Sequence, residues 1–79
     1  MKNLTSDDAV NIARIGVEFG RVVADARIYP MDVAKRNRLL EEMRPYKAIF
    51  EPIVQASVEE LNRVQPKLGG SPRFDYQIE

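Results

Sequence analysis

The sequence predicts an all-α fold: a small domain of three helices, or four if the third is split at Pro52, with an extended carboxyl-terminal tail. Three observations carry this reading. A long stripe of apolar residues at helical spacing fills the first third of the chain. A second apolar run, punctuated by Pro45 and Pro52, fills residues 46–64. The period then drops to two over Arg73 to Glu79. On this reading residues 1–68 form the helical domain and residues 69–79 the tail.

The first helix spans about Asp7 to Arg27. Ile12, Ile15, Phe19, Val22, Ala26 and Tyr29 recur at steps of three and four, so one face of the helix is expected in the core. Thr5 or Ser6 is placed to cap the amino terminus, where Asp7 and Asp8 meet the positive end of the helix dipole. A second series, Ala9, Ala13, Gly16, Gly20 and Ala24, runs beside the apolar stripe, and every member is small. A glycine inside a helix costs about 1 kcal/mol relative to alanine, so Gly16 and Gly20 imply a return. The expected return is close approach of another helix, from within the chain, from a second copy in a homodimer, or from a foreign partner. The Gly-x-x-x-Gly spacing resembles that of membrane helix pairs. Arg14, Glu18, Arg21 and Asp25 interrupt the apolar character that a bilayer demands, so packing between helices in water is the reading that remains.

Pro30 disfavours helical geometry at Tyr29 and ends the first helix near Arg27 or Ile28. Asp32 is the expected cap of a second helix from about Val33 to Arg44, with Val33, Leu40 and Met43 facing inward. Pro45 marks its boundary. Tyr46, Ile49, Phe50, Ile53, Val54, Ser57, Val58, Leu61 and Val64 then form the buried side of the last helical stretch, with Pro52 as a kink or as the first position of a last helix. Pro66 and Gly69-Gly70 stop it. In the tail, Phe74, Tyr76 and Ile78 alternate with Arg73, Asp75, Gln77 and Glu79, a strand pattern with no second strand to pair with. It is expected either to cover an exposed patch of the helices or to add itself to a sheet edge of a partner or of its own copy.

A chain of 79 residues buries a modest core, and such domains commonly add disulfides, a metal or association with another chain. With no cysteine and no histidine, disulfides and zinc sites built on those residues are excluded. No cofactor is expected, and association with another protein becomes the natural supplement. Twelve basic and twelve acidic side chains cancel, which removes the broad positive field of a dedicated nucleic-acid binder. No apolar stretch reaches the length of a signal peptide or a membrane span, so the expected location is the cytoplasm, with no membrane partner.

Catalysis finds little footing. Ser6, Ser57, Ser71 and Thr5 lack a histidine base, and the lysines lie in polar surroundings that leave them protonated. The carboxylate pairs Asp7-Asp8, Glu41-Glu42 and Glu59-Glu60 are sequence neighbours, and on a helix neighbours point about 100° apart, so no pair converges. The local surplus of Lys35, Arg36, Arg38, Arg44 and Lys47 around the second helix reads as a solvated face; its functional alternative is contact with phosphates or an acidic protein surface. The expected function is therefore non-enzymatic protein binding, with Gly16 and Gly20 of the first helix, or Phe74, Tyr76 and Ile78 of the tail, as the interface. Short, histidine-free and without cofactor chemistry, the chain resembles the small accessory proteins of phages and mobile elements. That resemblance implies an inhibitor or regulator of a larger complex. The alternatives are a nucleic-acid-associated regulator using the basic second helix and a structural subunit of an oligomer.

Overall fold

The computed structural model describes residues 3–64 and 73–79, whose regular structure is all helical with no strand among them. Helix α1 runs Ser6–Asp25, α2 runs Val33–Met43, a short 3-10 turn covers Arg44–Tyr46, and α3 runs Lys47–Val64. Thr5 caps α1: its side chain accepts from the Asp8 backbone N–H at 3.1 Å, and Asp8 Oδ2 accepts from the Thr5 N–H at 3.0 Å. This is a capping box with aspartate at its third position, and it satisfies two amino-terminal donors at once. Asp32 caps α2 by accepting from the Lys35 N–H at 3.0 Å.

Side-chain pairs between helices fix their directions. Arg14 donates to Glu42 at 2.6 Å and Arg38 lies 3.6 Å from Glu18, so α2 runs antiparallel to α1. Tyr46 donates to Asp8 at 2.9 Å near one end and Arg27 pairs with Glu60 near the other, so α3 runs parallel to α1. The core between them is built from Ile15, Phe19, Val22, Leu39, Leu40, Met43, Phe50, Val54 and Leu61. The molecule measures 47 × 19 × 18 Å, and its radius of gyration of 13.5 Å exceeds the roughly 12 Å of a compact chain of this length.

Several expectations shift. Helix α1 ends at Asp25, and residues 26–29 form a turn in which the N–H groups of Ile28 and Tyr29 both bond to the Asp25 carbonyl. Tyr29 therefore leaves the stripe and is 65% exposed, while Ala26 stays buried. In α2, Val33 is exposed and Leu39 is fully buried, because the inward face is set by Leu39, Leu40 and Met43. In α3, Ile53 and Val64 are partly open to solvent, and Pro52 lies inside the helix on its exposed side instead of opening a further one. The stop signals Pro66 and Gly69-Gly70, and Ser71, lie outside the described residues.

The tail folds back onto the helices. Burial alternates along it, with Tyr76 and Ile78 buried, Phe74 half-buried, and Arg73, Asp75, Gln77 and Glu79 exposed. That is the period of an extended segment lying on a surface. Side chains of α3 supply its anchors where a neighbouring strand is lacking: Asn62 Nδ2 donates to the Phe74 carbonyl at 3.0 Å, and Asn62 Oδ1 accepts from the Phe74 N–H at 2.8 Å.

Candidate functional site

The small face of α1 points away from the core. Ala9, Val10, Ala13, Gly16, Val17, Gly20 and Ala24 are all exposed, with Val10 at 66% and Val17 at 61%. At 100° per residue these seven fall within an arc of roughly 120°, which runs about 22 Å along the helix and holds no charged residue. The expected close approach of a helix does not occur inside the chain. A Cβ on Gly20 would meet nothing within 4 Å, and one on Gly16 would lie 4.0 Å from Cε1 of Phe50, an ordinary contact that alanine could make. Both glycines thus carry their cost in helix propensity without any packing need in the isolated chain.

The other predicted interface, Phe74-Tyr76-Ile78, is occupied. The Tyr76 ring packs edge-on against Phe19 with centroids 6.3 Å apart, and the guanidinium of Arg36 lies 4.8 Å over its face. Its hydroxyl lies 2.7 Å from Ser57 Oγ, and Ser57 already donates its one proton to the Val54 carbonyl at 2.7 Å. Tyr76 is consequently the donor to Ser57. Burial pushes the Tyr76 phenol above the ordinary tyrosine value, against the nearby charge of Arg36. Asn62 is the contributor to this docking that sequence reasoning missed. Ser57 was legible as part of the apolar run, whereas nothing in the spacing marks Asn62 as a backbone anchor.

The basic residues of the second helix do not form one free face. Arg38 reaches Glu18 and Glu42, Lys47 lies 3.8 Å from Glu51, and Arg36 is held by Asn37 and the Tyr76 ring. Lys35 and Arg44 enter no ion pair among the described residues. Arg14 is held above the usual arginine range by its hydrogen bonds to Glu42 and then Glu18, which completes a four-charge lattice binding α1 to α2. At the amino terminus, the Thr5 N–H first and the Tyr46 hydroxyl second keep Asp8 below the usual carboxylate range, so its charge is spent on capping.

Among the described residues, two of the depressions in the surface flank the core. One, of about 470 Å³, lies between α2 and the tail, with Arg36, Leu40, Glu41 and Arg44 on one side and Asp75, Gln77 and Glu79 on the other. The second, of about 480 Å³, is lined by Leu4, Thr5, Asp8, Pro45, Tyr46 and Ile49 at the other end of the core. Among the described residues, no group of three or more acidic side chains is placed to share a cation, and no helix is long and apolar enough to cross a membrane. Comparison with known proteins finds no matching family model, no matching curated protein and no matching solved structure.

Proposed function

We propose that this chain, three helices with the tail folded onto them, is a small non-enzymatic protein-binding module that receives a helix of a foreign protein on the outward face of α1. The observation that carries the reading is the uncharged, exposed arc from Ala9 to Ala24, with Gly20 facing open space. Glycine and alanine in such an arc let a second backbone come close, which returns the free energy that the poor helix propensity of glycine and the small side chains of both forgo. A foreign helix fits better than a second copy. In an antiparallel pairing centred on the stripe, Ala9 meets Ala24, but Arg14 of one copy falls beside Arg21 of the other on the same rim; a parallel pairing sets Arg14 and Arg21 against the apolar Ile12 and Val23 of the other copy. Such a module would act as an accessory inhibitor or regulator of a larger complex, as the resemblance to phage and mobile-element proteins implies. Nucleic-acid binding through α2 is less well supported, because Arg38 and Lys47 are already paired with carboxylates.

The test is recovery of partner by tagged protein from host lysate treated with nuclease, comparing wild type with Gly20→Leu and Val17→Glu. The expected result is one near-stoichiometric protein that both variants lose while keeping the wild-type circular dichroism. Equal recovery by all three proteins would remove the α1 face from the reading. Loss of recovery on nuclease treatment would transfer it to nucleic acid, and a doubled mass of the purified protein alone would transfer it to a homodimer.

A further inference from the structure

We propose that the tail presents a free backbone edge to the groove beside α2, and that this edge pairs with an extended, basic peptide segment. In an extended chain the N–H and C=O of one residue point to the same side, and those of the next residue to the opposite side. Asn62 of α3 takes both backbone groups of Phe74, which orients that edge toward α3. The backbone groups of Asp75 and Gln77 therefore point the other way, toward the groove they line together with α2. Among the described residues, neither Asp75 nor Gln77 makes a backbone hydrogen bond. A row of unpaired donors and acceptors on an extended segment is what an added strand recognises.

The walls of the groove state the chemistry of that strand. Its volume of about 470 Å³ and its open side admit a short extended segment over the side chain of Leu40. Arg36 is held in place by the Tyr76 ring and Asn37, neither of which neutralises its charge, and Arg44 is the second cation of the groove. Against them stand Glu41, Asp75 and Glu79, none of which enters an ion pair among the described residues. Three carboxylates to two guanidiniums leave the groove net negative, and with none of the three paired they favour lysine or arginine side chains on the incoming strand. A second copy of this tail is a poor occupant: its own Phe74, Tyr76 and Ile78 face the same way in the pairing that matches the free edges, so two helical bodies would compete for one space. This surface is separate from the outward face of α1, and the inference does not rest on that reading.

The probe is an acetylated octapeptide alternating lysine and valine, titrated into isotopically labelled protein and followed through its backbone amide resonances. The expected result is saturable shifts at Asp75, Gln77 and the groove residues of α2. Methylation of alternate backbone nitrogens of the peptide should weaken binding about tenfold or more, because it removes ladder donors without altering charge. Gln77→Pro, which deletes a donor that the chain itself leaves unused, should do the same. Reversal of Glu41 and Glu79 to lysine should shift preference to a second octapeptide in which glutamate replaces lysine. Absence of saturable shifts, shifts centred elsewhere, or equal binding by the methylated peptide would each overturn the inference, the last by reducing it to charge attraction alone.

Discussion

Replacing Gly20 by alanine should stabilise the isolated protein, and the size of the effect follows from the structure. Position 20 lies inside α1, which continues to Asp25, so the full helix-interior difference of about 0.8–1 kcal/mol applies. Nothing opposes it, since a Cβ there meets no atom within 4 Å. Nothing adds to it either, because the position is exposed and the new methyl group buries little. Part of the gain arises in the unfolded chain, which loses conformational freedom when glycine is replaced. For a domain of this size, a gain of about 0.8–1 kcal/mol corresponds to a rise in Tm of roughly 3–8 °C. The assay is thermal unfolding followed by circular dichroism at 222 nm, at low protein concentration and without partner. An unchanged or lowered midpoint would refute the reasoning, because it would mean that something already lies against this face in the free protein. Repeating the melt across a range of concentrations identifies a second copy as that occupant, since its effect would grow with concentration.

Two further predictions concern the tail. Ile78→Ala, at a site only 4% exposed, should cost about 2–5 kcal/mol against a total stability of roughly 4–12 kcal/mol, read as a lowered midpoint in urea; a change below about 0.5 kcal/mol would show that the tail is not part of the core. Tyr76 also predicts loss of stability in alkali. Its folded-state value is raised, so its contribution is complete below the unfolded value of about 10 and falls away as pH rises from there through the folded value. Denaturant titrations between about pH 9 and 11.5 should show this fall in wild type and a shallower one in Tyr76→Phe, with tyrosinate absorbance at 295 nm showing one of the three tyrosines ionising last. Equal slopes would sink the assignment.

The buried stripe of α1 was legible because a period near 3.6 leaves little freedom: Ile12, Ile15, Phe19, Val22 and Ala26 are all buried or half-buried. Periodicity alone did not fix α2, a short helix in which Val33 and Leu39 competed for the inward face. The fold chose Leu39, whose neighbour Leu40 and near neighbour Met43 complete a contiguous patch. The alternation of the tail was equally plain, yet its destination was not. A strand pattern invites a search for a second strand, and here the hydrogen-bonding partner is the amide of Asn62, which no period reveals. The glycines posed the opposite problem. Their cost was readable and implied a close neighbour, but propensity says nothing about whether that neighbour belongs to the same chain.

The tail also explains why this small, cysteine-free domain can leave one side of α1 bare. Three helices of 20, 11 and 18 residues supply two inward faces to be covered as well as the contact between α1 and α2. Tyr76 and Ile78 cover the gap that α2, the shortest, leaves open, and they do so from a segment that costs only its own ordering. With that gap closed by the tail, the core does not need the Ala9–Ala24 face, and that face is free to stay small and uncharged. A change that loosens the tail should therefore weaken both proposed surfaces, the groove directly and the α1 face through the stability of the helices beneath it. A change on the α1 face should leave the tail and its groove intact. That asymmetry separates damage to the fold from damage to a contact: Ile78→Ala should weaken both binding activities, Val17→Glu only one.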